Sequence, residues 1–163
     1  MRISFDLDDT LICYGEHFAY EPKRVPFFLK PWINEPLRLG TPELMKKLQQ
    51  YGCEIWIYTT SYRSPGSVRL WLLCYDIHIT KVINQAVHNA YLRNNPIYHP
   101  SSKNPGAFGI DLHIDDSEGV KLEGKKNGFE VVVISPEDRN WSEQVLEAVV
   151  HRLNTKYNQN LRR

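Results

Sequence analysis

Long apolar runs, paired cysteines and an excess of one charge are all missing from this chain. No uninterrupted apolar stretch approaches the roughly 20 residues of a membrane-spanning helix, so no membrane span and no membrane partner are expected. The three cysteines, Cys13, Cys53 and Cys74, are widely spaced and form no C-x-x-C pair, which argues against a disulfide frame or a zinc site. Reduced thiols packed in a core, in a cytoplasmic protein, are the expectation. A formal net charge of +1 over 163 residues gives no global attraction to nucleic acid or to a membrane surface. No secretory signal is expected either, because the opening apolar run passes straight into acids. Internal repeats and domain linkers are absent as well. With 42% hydrophobic and 24% charged residues, the composition fits a single soluble domain large enough for a proper core.

What is present is concentrated acid. Asp6-Leu7-Asp8-Asp9-Thr10 follows the apolar run Ile3-Ser4-Phe5. Alternate residues of a strand share a face, so Asp6 and Asp8 start out pointing the same way. Like charges that close repel unless a cation or a shared proton relieves them. Taken alone, the stretch reads either as a solvated acidic turn or as a magnesium site with a carboxylate nucleophile.

The pattern along the chain alternates strand and helix. The first strand is expected at about Arg2 to Asp6. Leu11 to Gly40 carries four prolines and many aromatics, which predicts a flap packed on the core, or a lid, and no long helix. Thr41-Pro42-Glu43 reads as a helix start with Thr41 as N-cap, and Gly52 as its stop. Glu54 to Thr59 reads as a central parallel strand and Pro65 to Tyr75 as a helix. Ile77 to Ile83 reads as a third strand. Residues 84–104 read as an irregular polar loop with a short helix near Ala86 to Leu92. A strand from Gly109 to Ile114 runs into Asp115-Asp116, and Ser117 caps a short helix through Glu123. Phe129 to Ile134 reads as a buried strand, and Ser142 to Asn154 as a final helix. Such alternation predicts an α/β, Rossmann-like three-layer α/β/α sandwich with a mainly parallel sheet of about five strands.

Ligands of such sheets bind beyond the carboxyl ends of the strands. Three strands end in polar clusters: Asp6/Asp8, Thr59/Thr60/Ser61 and Asp115/Asp116. If all run parallel, the clusters share one edge, and an acidic turn no longer accounts for Asp6 and Asp8. Gathered carboxylates need positive charge, and hard oxygen donors without a Cys or His set suit magnesium. Lys103, just upstream of the Asp115 strand, reads either as an exposed loop lysine or, given that position, as the cation that balances a bound anion.

In this order, DxDxT, a strand-closing Thr, a Lys and an apolar strand ending in DD, the chain resembles the haloacid dehalogenase-like (HAD) phosphohydrolase superfamily over about Arg2 to Ile134. The resemblance implies that Asp6 is the nucleophile and Asp8 the general acid/base. It implies phosphate binding by Thr59, Thr60 and Lys103. It further implies Mg2+ held by Asp6, the Asp8 backbone carbonyl, Asp115 and Asp116, the last directly or through water. The implied activity is phosphate monoester hydrolysis through an aspartyl-phosphate, with a phosphotransferase or a non-catalytic metal- or phosphate-binding protein as alternatives. Neither the 11–40 nor the 84–104 stretch holds a full cap domain. The partner is therefore a phosphorylated substrate, either a small molecule or a macromolecular end, with nucleic acid only as substrate. Arg63 is open to two readings, a substrate-anion contact or a surface arginine. His88 and His99 read as solvated loop residues, and the basic tail after His151 as a frayed terminus.

Overall fold

The computed structural model describes residues 1–15, 18–95 and 101–160. His99 and the last three residues fall outside that set. Five parallel strands form one sheet in the order β3-β2-β1-β4-β5: β1 (Arg2–Phe5), β2 (Glu54–Tyr58), β3 (Lys81–Ile83), β4 (Leu112–Asp115) and β5 (Val131–Val133). The helices between and after them are α1 (Thr41–Gln50), α2 (Pro65–Leu73), α3 (Gln85–Asn94), α4 (Glu118–Asn127) and α5 (Trp141–Asn160). The order reverses after β3, where the chain crosses back over β2 and β1 to lay down β4. Right-handed crossovers place helices of the two directions on opposite faces, giving three layers.

The two faces of the sheet differ in chemistry. Strand alternation sends Ile3, Phe5, Ile55, Ile57, Leu112 and Ile114 to one side, where they form a continuous apolar core with α1, α2 and α5. Each buried Leu or Ile there contributes roughly 1.5–3 kcal/mol. The opposite side carries Ser4, Trp56, Tyr58, Ile83 and His113, and its apolar cluster is small: Trp56, Tyr58, Ile83 and Ile110. Polar side chains fill the rest of that face, and they lead to the site.

Several boundaries depart from the expectation. Gly40, at φ 88, is the N-cap of α1, and Thr41 is already helical, its hydroxyl donating back to the Arg38 carbonyl at 2.7 Å. β3 is only three residues long, because Ile77 and Ile79 pack into the core without pairing. Residues 84–104 are not simply irregular: Asn84 caps the ten-residue α3 by accepting from the Val87 amide. A short 3-10 turn follows at Pro105–Phe108. β5 is half-buried rather than fully buried. α5 runs on to Asn160, past the last apolar repeat. Gly124 of α4 is required by close approach, since a Cβ there would lie 2.6 Å from the Phe129 carbonyl oxygen.

Among its described residues the 11–40 stretch forms no helix, and its bridges are single ones, Asp8 with Ile12 and Tyr20 with Arg38. It is tied down by Arg38, which is buried. Its guanidinium donates to the carbonyls of Thr10, Ser135 and Asp138 and lies 4.7 Å over the Trp141 ring.

Candidate active site

β1, β2 and β4 are adjacent and parallel, so their carboxyl ends deliver Asp6, Thr59 and Asp115 to one edge. Beyond β1 the chain turns tightly. The Leu7 carbonyl accepts from the amides of Leu11 and Ile12, and Asp9 takes a left-handed conformation at φ 56. Asp tolerates that conformation better than most residues, and Asp9 is the exposed acid of the three.

Lys103 lies at the centre of the arrangement. Its ammonium is 2.5 Å from Asp115 Oδ2 and 2.9 Å from Asp6 Oδ1. The Lys103 residue is 2% exposed, Asp6 7% and Asp115 1%. Burial of this depth is tolerated only because the charges are paired. The second contact is an ion pair, and it is the only charge partner of Asp6 Oδ1 among the described residues. Burial raises the Asp6 carboxyl to about 6, against the pull of Lys103. For Asp115 burial also pushes upward, but the His113 hydrogen bond and the Lys103 ammonium outweigh it and hold that carboxyl well below the usual range. Asp116, half-buried beside it, is pushed up by burial and by the Asp115 charge.

Asp6, Asp115 and Asp116 each offer an oxygen within 4.8 Å of the others. All the donors are carboxylate oxygens, a set that suits a hard cation. The Asp8 carboxylate is directed elsewhere: its Oδ2 accepts from Arg63 Nη1 at 2.8 Å. Thr59 is buried, its hydroxyl accepting from the Ser61 amide at 3.1 Å, whereas Thr60 is exposed. Two further buried hydroxyls at this edge, Thr10 Oγ1 and Ser61 Oγ, have no partner. Unpaired buried oxygens are costly.

The polar face of the sheet extends this cluster inward. Ser4 Oγ lies 2.7 Å from His113 Nδ1, and His113 Nε2 lies 2.9 Å from Asp115 Oδ2. His113 is fully buried, which pushes its imidazole toward the neutral form against the pull of Asp115. Neutral His113 therefore donates from Nε2 to Asp115 and accepts from Ser4 at Nδ1.

The segment bearing Lys103 is clamped from three elements. The Asn104 amide donates to the Tyr58 hydroxyl at 2.8 Å, and that hydroxyl is 2.5 Å from His88 Nδ1. His88 Nε2 in turn reaches the Ser101 carbonyl at 3.2 Å. From α4, Glu123 accepts from the Ser102 hydroxyl and amide. His88 is thus a buried structural residue rather than the solvated loop histidine expected. Replacing Tyr58 with Phe strands the Asn104 amide and His88 Nδ1, and is expected to cost about 1–3 kcal/mol of stability. A thermal midpoint equal to that of the parent protein would remove Tyr58 from this role.

Arg63 is the other departure. Besides Asp8 it engages Glu35 of the flap, whose second carboxylate oxygen takes the Tyr14 hydroxyl. Between the flap and α2 lies a cavity of about 180 Å³, lined in part by Ile12, Trp32, Glu35, Arg63 and Trp71. Ser4, His113, Tyr58 and Glu35 have no role in the sequence reading. Only His113 left a signal there, sharing a strand face with Asp115 two residues on.

No protein-family model matches this chain, and no curated protein matches it. Among solved structures, the chain is similar to a predicted HAD-like family hydrolase from Porphyromonas gingivalis, with a TM-score of 0.49 and 12% identity over 93% of this chain and 97% of that one.

Proposed function

We propose that this protein is a magnesium-dependent phosphatase that hydrolyses phosphate monoesters through an aspartyl-phosphate on Asp6. The observation that carries the reading is Lys103 buried between Asp6 and Asp115, with its ammonium 2.9 Å from Asp6 Oδ1 and Asp116 close beside them. A buried carboxylate next to a fixed ammonium is arranged to attack an electrophile that brings negative charge with it.

Asp6 attacks phosphorus in line, and the bond to the ester oxygen breaks as the Asp6–phosphorus bond forms. Asp8 gives that oxygen a proton, then takes one from the water that releases phosphate from Asp6. Lys103, Thr59 and the unpartnered hydroxyl of Ser61 hold the phosphoryl oxygens. Asp6, Asp115 and Asp116 would hold Mg2+, with the Asp8 carbonyl as a fourth protein ligand, and the ion would supply charge neutralisation of the phosphoryl group. The cavity between flap and α2 offers room for the organic part of the ester. The substrate is a phosphorylated small molecule or the phosphorylated end of a macromolecule. Three free cysteines, two of them buried, fit a reducing compartment such as the cytoplasm. Among the described residues no helix is long and apolar enough to cross a membrane.

The test is a phosphomonoester panel of sugar phosphates, nucleotides, phosphopeptides and phosphorylated oligonucleotide ends, assayed with the purified protein and Mg2+. Phosphate release from at least one class is expected, with loss in EDTA and return on adding Mg2+. Silence across the panel overturns the reading.

A further inference from the structure

Asp8 is half-exposed, with one face toward solvent, yet general acid/base work needs its carboxyl held at a fixed angle to the ester oxygen. Arg63 Nη1 is 2.8 Å from Asp8 Oδ2. The same guanidinium is gripped from behind: Nε lies 3.3 Å and Nη2 3.2 Å from Glu35 Oε1. Glu35 is itself fixed at both ends. Its carboxylate takes the Tyr14 hydroxyl, and its carbonyl accepts from Trp71 Nε1 at 3.1 Å. The Arg63 backbone is fixed too, its carbonyl accepting from Asn84 Nδ2 at 3.0 Å. Arg63 therefore has little freedom to turn toward a substrate anion.

We infer that Arg63 is a positioning residue for Asp8, held in place by Glu35 and Tyr14 of the flap. The inference rests on the phosphatase reading. A guanidinium only donates, so the Asp8 oxygen facing Arg63 acts as an acceptor throughout. The proton that Asp8 gives to the departing ester oxygen, and later takes from water, is carried by the other oxygen, Oδ1. The flap thereby sets the angle of the acid/base from outside the strand edge. This also accounts for a long flap that forms no helix among its described residues and yet is pinned to the core by Arg38, Trp71 and Arg63.

The measurement is kcat/KM for the parent protein and for Arg63→Ala, Arg63→Gln and Glu35→Gln, on two esters. 2,4-Dinitrophenyl phosphate has a leaving group that needs no proton, and an alkyl phosphate has one that does. Positioning predicts a skewed loss in Arg63→Ala, about 30- to 100-fold on the alkyl ester and less than about 3-fold on the dinitrophenyl ester. The same skew, smaller, is expected in Glu35→Gln. Arg63→Gln keeps one donor near Asp8, serves if the alanine variant does not fold, and should lie between. An equal loss on both esters, or a rise in KM at constant kcat, assigns Arg63 to substrate binding and overturns the inference alone. The alkyl ester is chosen from those the panel shows to be hydrolysed; a parent protein inactive across the panel and on both esters overturns the phosphatase reading, and this inference falls with it.

Discussion

Exchanging Asp6 for Asn is expected to abolish phosphate release, by about 10⁴-fold or more, and to make the metal-free protein more stable above pH 6. The two effects have one origin. Burial raises the Asp6 carboxyl from its ordinary 3.8 to about 6. Between those values the folded protein binds a proton that the unfolded chain has released. The stabilisation from that proton is fully present below pH 3.8 and is lost as the pH rises through 6. At pH 8 the ionised carboxylate therefore costs about 3 kcal/mol. Asn is neutral at every pH and nearly isosteric. Without metal at pH 8, Asp6→Asn should melt roughly 5–10 °C above the parent protein, and below pH 4 the gap should close. Adding Mg2+ should reverse the order, because the ion offsets the charge on Asp6 and the variant has one ligand fewer. An Asn variant that melts below the parent at pH 8 in EDTA would show that Asp6 is satisfied without metal and is not poised as a nucleophile.

Lys103→Met should act in the opposite sense on stability. Removing the ammonium leaves the buried carboxylates of Asp6 and Asp115 facing each other across the space it occupied. Breaking a buried pair on one side costs about 3–5 kcal/mol, which is on the order of 10 °C in thermal midpoint for a chain of this length. Part of that loss should return with Mg2+, which brings positive charge to the same acids. Activity should not return with it, and a deficit of about 10²- to 10³-fold should persist at saturating metal, because the donor to the phosphoryl oxygens is gone. The diagnostic quantity is the difference in midpoint between EDTA and Mg2+, which should be larger in the variant than in the parent. A variant as stable as the parent in EDTA would mean that Asp115 and Asp6 are adequately held by His113 and solvent.

The parallel sheet and the sharing of one edge by Asp6, Thr59 and Asp115 follow from the strand–helix alternation, whereas the strand order does not. The shared edge is why the acids at the ends of β1 and β4 were legible. Lys103 was legible only by its place before an acidic strand, and its full burial was not, because that depends on Tyr58, His88 and Glu123 reaching it from three elements. The polar face of the sheet was illegible for another reason. Ser4 and His113 interrupt apolar strands, and only the register that sets them side by side makes them a pair. Arg63 was visible as a candidate but not in its role, since its partner Glu35 lies 28 residues away in a loop whose path no periodicity encodes. The extension of α5 beyond Asn154 had no apolar repeat to announce it. β3 was overestimated because Ile77 and Ile79 are apolar for reasons of core packing, and strand pairing does not extend to them.

The central position of β1 also governs how the molecule comes into being. Ser4 sits beside Trp56 on one side and His113 on the other, and the second partner is 109 residues further along the chain. At ribosomal speeds of about 5–20 residues per second, β1 waits roughly 5–20 s with an open edge before β4 exists to cover it. Contacts of such long range also slow folding of the completed chain. Through that interval an apolar strand is exposed to neighbouring nascent chains. The residues that follow it directly are Asp6, Asp8 and Asp9, and charge at the end of a strand discourages edge-to-edge pairing. The acids that crowd the finished site thus act earlier as gatekeepers, keeping the strand that bears them from joining the wrong sheet.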